Sequence, residues 1–191
     1  MKKIARLGVA VFMLLLPAYV FALQIKGVKI PEQITQETSQ QNLVLNGAGV
    51  RAKFIFDIYI GALYLVERSD SSEKILADRS PRRVVMHFLY NEIEKKKMQS
   101  AWTEGFEDNL TAEQLAGLQP EIKTFNAAFG DTVENDVVII DFLPDGNTVV
   151  RINGTETARI NGSDFQRALL SVWLGDSPVD GRLKNGMLGR E

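Results

Sequence analysis

Apolar and polar positions alternate most strictly in two stretches, and these set the reading of the chain. In Leu43–Leu65, LVLNGAGVRAKFIFDIYIGALYL, Phe54, Phe56, Ile58 and Ile60 fall on one side by period-two alternation and Ile55, Asp57 and Tyr59 on the other. Both sides are mostly apolar, which predicts a central strand after Arg51. The segment before it, Gly47-Ala-Gly49-Val-Arg51, reads as a glycine-rich turn whose open backbone leaves room for a ligand beside the arginine. Arg82–Tyr90, RRVVMHFLY, predicts a second interior strand, with Val84, Met86, Phe88 and Tyr90 opposed to Val85, His87 and Leu89. Gln24–Ile30 alternates as one opening strand that Pro31 ends, and polar Ile34–Gln41 reads as loop.

The period then becomes helical. Ser71–Leu76 predicts a short capped helix, and Glu94–Asn109 a longer one with Met98, Ala101, Trp102, Gly105 and Phe106 on its apolar side. Another starts at Thr111, with a stripe through Leu115, Leu118, Ile122, Phe125 and Phe129 that Pro120 kinks or divides. Val137–Leu143, Thr148–Ile152 and Thr157–Ile160 are strands joined by the turn signals Pro144–Asn147 and Asn153-Gly154, a meander. Asn161–Asp164 opens a helix that buries Phe165, Ala168, Leu169, Val172 and Trp173 and stops at Gly175; a last helix follows Pro178. The sum is an α+β domain, a mostly antiparallel sheet covered by a layer of helices.

Residues 1–22 read as a secretory signal: Lys2, Lys3 and Arg6, an apolar run from Leu7 to Leu16, and the small-residue site Val20-Phe21-Ala22. An uncleaved anchor is the competing reading, because the uncharged stretch continues to Leu23. Cleavage leaves residues 23–191 as a single domain without a further membrane span, in a bacterial periplasm or secreted. Net charge is −2 for the whole chain, and removing three cations makes the remainder more acidic, a poor match for nucleic acid.

Gly47-Ala-Gly49-Val-Arg-Ala52 matches the G-x-G-x-x-A dinucleotide fingerprint in letters only, because a strand follows where that motif needs a helix. There is one histidine, no cysteine, no carboxylate cluster at metal spacing and no G-x-S-x-G elbow, so neither a zinc site nor a serine triad can be assembled. His87 is either an interior histidine or a single axial haem ligand, the one cofactor these residues allow. Arg51 is either a turn arginine paired with a surface carboxylate or the cation at the mouth of an apolar cleft. Tyr59, Trp102 and Trp173 are the candidate walls of such a cleft, with ordinary core packing the plain alternative for both tryptophans. A cleft of that kind suits an amphiphile bearing a carboxylate or enolate, because the guanidinium fork pairs with a planar anion.

Three stretches, in order, resemble the chalcone isomerase family. Gly47–Arg51 with Ile60–Leu65 is similar to that family's glycine-arginine turn and following strand. Arg82–Tyr90 with the helix from Glu94 is similar to the next strand and helix, and Ala168–Gly175 with Asp176-Ser-Pro178 to the C-terminal helix and its G-x-S-P turn. With the secretory signal, the chain resembles the bacterial secreted members more than the plant enzymes. The resemblance implies an open-faced β-sandwich with a cleft between sheet and helices, and makes Arg51 the family arginine that fixes a substrate phenolate. The other catalytic positions of the plant enzymes fall on Tyr59, Lys97, Glu104 and Val172, where threonine, tyrosine, asparagine and threonine are expected. Relatives of this fold include fatty-acid-binding proteins that use the equivalent arginine to hold a carboxylate. The expectation is a non-catalytic periplasmic protein binding a small amphiphilic, fatty-acid-like or aromatic anion. The alternatives are an isomerase or lyase on an enone or flavonoid-like substrate, with Arg51 as electrostatic catalyst and Tyr59 or Lys97 as proton donor, and a haem protein using His87.

Overall fold

The computed structural model describes residues 22–190, so the secretory-signal reading of residues 1–22 lies outside the described residues except for Ala22. The strands are β1 (Ala22–Ile25), β2 (Val28–Pro31), β3 (Gln33–Gln36), β4 (Gln41–Lys53), β5 (Phe56–Leu65), β6 (Arg82–Phe88), β7 (Glu92–Ile93), β8 (Thr132–Val133), β9 (Val137–Phe142), β10 (Asn147–Ile152) and β11 (Thr155–Asn161). The helices are α1 (Ser72–Ala77), α2 (Lys95–Glu107), α3 (Ala112–Gly117), α4 (Gln119–Ala127), α5 (Ser163–Leu174) and α6 (Gly181–Met187). Seven strands make one antiparallel sheet in the order β11-β10-β9-β6-β5-β4-β3, and β1–β2 and β7–β8 form two-stranded ribbons beside it.

Strand alternation builds two apolar layers. Tyr59, Leu63 and Leu65 of β5 and Val84, Met86 and Phe88 of β6 point toward the helices, meeting Phe106, Phe125, Phe165, Leu169 and Trp173 in the main core. Ile60, Ala62 and Tyr64 face the other way and join Leu43, Leu45 and Ile30 under the β1–β2 ribbon. The helix ends follow local chemistry: the Ser71 hydroxyl accepts from the Lys74 N–H at 3.3 Å, Thr111 and Gln114 form a reciprocal capping box, and Pro120 sits in the first turn of α4, dividing the stripe.

Four expectations change. The opening segment is a hairpin, because Lys26 and Gly27 take φ of 49° and 82°, the paired positive angles of a tight turn. Polar Ile34–Gln41 holds all but the first residue of strand β3, whose edge position removes the apolar signal of a buried strand. Gly47–Arg51 is no turn: it lies inside the 13-residue strand β4. Its glycines admit α6 rather than a ligand, since a Cβ on Gly47 would stand 2.7 Å from the Gly189 nitrogen and 3.0 Å from the Met187 carbonyl. The chain reverses instead at Phe54-Ile55. A bulge between the pairs Arg51↔Tyr59 and Ala52↔Asp57 leaves Ile58 unopposed, so the alternation expected through Phe56, Ile58 and Ile60 breaks and Tyr59 faces the helices while Ile60 faces away.

The sheet's outer face also holds a buried charge cluster. Asp141 is fully buried and accepts from Arg83 Nε (2.6 Å) and Nη2 (2.9 Å), Arg151 Nη1 (2.6 Å) and Gln36 Nε2 (2.8 Å). Glu37 also pairs with Arg83 at 2.8 Å, which holds its carboxyl below the usual range. These bonds clamp the β3 turn across β6, β9 and β10.

Candidate functional site

A cavity of about 290 Å³ opens between the β4–β5 hairpin, the end of β6 and the first half of α2. Its interior is apolar, with Phe56, Ile58, Phe88, Ile93, Met98 and Ala101 on the walls. Arg51, Lys53, Lys97 and Glu92 supply the charge. The volume lies at the lower end of ligand-holding clefts, roughly 300 Å³.

Register places Arg51 here. It pairs directly with Tyr59 across β4–β5, so both side chains leave the sheet on one face, and the guanidinium carbon sits 5.6 Å from the centre of the phenol ring. Among the described residues the Arg51 side chain makes no ion pair. The surface-carboxylate reading of this arginine therefore finds no partner among the described residues. Next to it, the Asp180 carboxylate caps α6 through the Arg182 and Leu183 N–H groups (2.8 and 3.1 Å) and accepts from the Ala52 N–H at 3.1 Å. Asp180 thus fixes the strand on which Arg51 stands to the C-terminal helix.

Tyr59 is buried, and its oxygen accepts from Trp173 Nε1 at 2.9 Å. Burial pushes its phenol above the ordinary tyrosine range, and the Arg51 charge and the Trp173 bond offset only part of that, so the O–H stays protonated at neutral pH. No acceptor for that proton is found among the described residues. Arg51 and Tyr59 thus stand side by side at the cavity, with the phenol oxygen held by the Trp173 N–H.

The tryptophans do not line the space. Trp173 stands behind Tyr59, and Trp102 packs edge-on against Trp173 and Phe125 at 5.4 and 4.9 Å between ring centres, inside the main core. His87 pairs with Ile60 across β5–β6 and so leaves the sheet on the outer face, away from the cavity that Phe88 and Tyr59 line. Of the positions the resemblance singled out, Tyr59 and Lys97 reach the cavity; Glu104 is exposed elsewhere on α2, and Val172 is buried against Gly105. Lys97 is tied to Glu94 at 2.9 Å, which raises its pKa above the usual lysine value.

The sequence reading missed Phe88, Tyr90, Met98 and Lys53 as lining residues. The alternation of β6 and the stripe of α2 marked Phe88 and Met98 as inward-facing, but which inward positions border space and which border packed atoms depends on how far apart the hairpin and α2 stand. Among the described residues no His/Cys/Asp/Glu group is placed to hold a metal, and no helix is long and apolar enough to cross a membrane.

No curated protein matches the chain. Among solved structures it is similar to a fatty-acid binding protein of Arabidopsis thaliana, at a TM-score of 0.59 and 13% identity, over 82% of this chain and 96% of that one. The sheet and its helical cover are thus a fold already seen in the plant protein. The family model described as chalcone isomerase-like matches residues 22–189, the whole of the sheet and every helix. The chain belongs to the chalcone isomerase-like family.

Proposed function

We propose that this protein binds a small amphiphilic anion, without catalysis, in the cavity between the β4–β5 hairpin and α2. Arg51 is the anchor and Tyr59 the second donor. The observation that carries the reading is the Arg51 guanidinium, which has no acid partner among the described residues and opens onto an apolar space. A half-buried cation of that kind favours an anion strongly, because a charge-assisted fork to a carboxylate forms where water competes poorly. The apolar walls then take the ligand's body. That the fold is shared with a fatty-acid binding protein supports the same class of ligand, and the cavity's size favours a short acyl or a single-ring aromatic acid. The basic and apolar run in residues 1–22 supports a periplasmic or secreted location.

Ring closure of a chalcone-like substrate calls for donors placed at the developing enolate and an acid whose pKa lies near neutrality. Both candidate acids are pushed the wrong way: burial raises Tyr59, and the Glu94 bond raises Lys97. Turnover of chalcones above the uncatalysed rate is not expected, and a progress curve with purified protein checks this.

Native mass spectrometry of protein purified without added ligand, followed by titration with octanoate and cinnamate, tests the binding reading. Trp173 reports occupancy through its bond to Tyr59. Arg51→Ala is expected to weaken binding about tenfold to a hundredfold, the loss of a charge-assisted hydrogen-bonded pair. Unchanged affinity in Arg51→Ala, or no binding of either acid to the wild type, would remove the proposal.

A further inference from the structure

The tip of the β4–β5 hairpin exposes Phe54 at 91%, Ile55 at 89% and Phe56 at 48%. A two-residue turn of this kind calls for glycine, asparagine or aspartate where φ is positive. This one holds Phe54 at φ 57°, a conformation disfavoured for a bulky side chain. Neither Phe54 nor Ile55 belongs to either apolar cluster, so the fold gains nothing from them. Strain at Phe54 coincides with exposed apolar area at Phe54 and Ile55, and a surface outside the chain accounts for both.

Shape and charge identify that surface. Phe54 and Phe56 border the cavity mouth, and Tyr90 braces Phe56 edge-on at 5.4 Å. Lys53, next to the tip in sequence, makes no ion pair among the described residues, and Arg51 and Lys97 share the cavity wall with it. The acids nearby are mostly engaged: Asp57 by Lys26 at 2.8 Å, Glu94 by Lys97 at 2.9 Å, and Asp131 by the Lys95 N–H at 2.7 Å, leaving Glu92 on the cavity wall. A narrow apolar prong with an unpaired lysine at its base and further cations on the cavity wall matches a bilayer with anionic head groups, where apolar side chains enter the acyl boundary and cationic groups meet phosphates. A specific protein partner needs a far broader contact, about 800 Å² on each side.

We propose that the β4–β5 tip is a membrane-docking prong that seats Phe54 and Ile55 in an anionic bilayer and brings the cavity mouth to the lipid surface. Docking stands on the tip's own residues; a role in passing a lipid-derived anion between bilayer and cavity rests on the binding reading above.

The chain has no cysteine, so Ile55→Cys offers a single position for an environment-sensitive fluorophore. Glu113→Cys, exposed on α3 beyond the far end of α2, is the control. Each is measured in the full chain with vesicles of phosphatidylethanolamine and phosphatidylglycerol and no added ligand. The expected result is a blue-shifted, quencher-protected signal at position 55 alone, weakened by salt. Adding Phe54→Asn should raise the lipid concentration for half-maximal response about tenfold, the effect of withdrawing one large apolar side chain. Because asparagine suits the turn, that variant's thermal midpoint should hold or rise, which separates lost docking from lost folding. Because no acid is added, the vesicle response does not depend on whether the cavity binds octanoate or cinnamate, which separates this proposal from ligand binding. Equal responses at both positions, no response at position 55, or a response driven by protein concentration without lipid would overturn it, the last assigning the tip to self-association.

Discussion

Valine at Gly47 is expected to unseat α6 and to destabilise the fold by at least about 3 kcal/mol. The reason is backbone on backbone. The new Cβ would meet the Gly186 carbonyl, the Gly189 nitrogen and the Met187 carbonyl, none of which is a flexible side chain that can turn aside. From the other side, a Cβ on Gly186 would stand 2.6 Å from the Ala48 carbonyl and 2.9 Å from the Gly49 Cα, so the contact is tight in both directions. Relief requires α6 to lift, which withdraws Leu183, Met187 and Leu188 from the core. It also pulls Asp180 from the Ala52 N–H, so the Arg51 site should loosen together with the fold. Denaturant titration measures the first effect and ligand affinity the second. Gly181→Ala is the control: nothing lies within 4 Å of its Cβ and it begins α6, so it should be neutral or stabilising by up to about 1 kcal/mol. A Gly47→Val protein within 1 kcal/mol of wild type, on a scale where core damage costs several, would show that α6 does not depend on that contact.

Asp141→Ala is expected to cost about 3–5 kcal/mol, which for a domain of this size lowers the thermal midpoint by roughly 10 °C or more. The loss is larger than the worth of any one of its bonds. Removing the carboxylate strands two guanidiniums at once: Arg83, whose side chain is 5% exposed and keeps only Glu37, and Arg151, 19% exposed, which keeps Thr38 at 3.0 Å and the looser Glu156 at 3.9 Å. Gln36 loses an acceptor as well and retains the Arg82 carbonyl at 3.0 Å. The β3 turn should then detach locally before the sheet opens, visible as faster amide exchange in Gln33–Gln41. Triple replacement of Asp141, Arg83 and Arg151 by apolar residues should be milder than Asp141→Ala, because no charge is left buried without a partner. If Asp141→Ala proved nearly neutral, water must reach the cluster and the clamp would be no clamp.

Both predictions turn on contacts between distant parts of the chain, and that divides what was legible in the sequence from what was not. β5, β6, α2 and α5 each bury their own apolar pattern, so periodicity alone located them, and Ser71, Thr111 and Pro120 announced the starts of α1, α3 and α4 locally. Gly47 and Gly49 misled because glycine in a strand and glycine in a turn look alike; only α6, at the other end of the chain, tells them apart. The Ile58 bulge, which turns Tyr59 toward the helices, leaves no mark in composition. Asp141 did carry a signal, an acid inside the apolar run Val137–Phe142, but its partner Arg83 lies 58 residues away.

The same holds at the site. Arg51 and Tyr59 were identifiable as candidates, and their pairing across β4–β5 brings them together. Trp173 was marked as a wall, but it is a support, because its N–H reaches the Tyr59 oxygen from α5. Trp102 belongs to the aromatic core behind it. The exposed Phe54 and Ile55 were read as strand, since nothing in a β-type apolar run signals that two of its members form the turn.

Selection of an anionic head group by Arg51 in an apolar cavity can be measured in a cycle of two ligands and two proteins. Octanoate and octanol share a chain and differ at the head; wild type and Arg51→Ala differ at the anchor. Calorimetric titration of the four pairs should show the wild type preferring the carboxylate by about tenfold or more and the variant holding both alike, with octanol affinity little changed by the substitution. A preference for octanoate that survives intact in Arg51→Ala, or equal affinities in the wild type, would show that Arg51 is not the anchor.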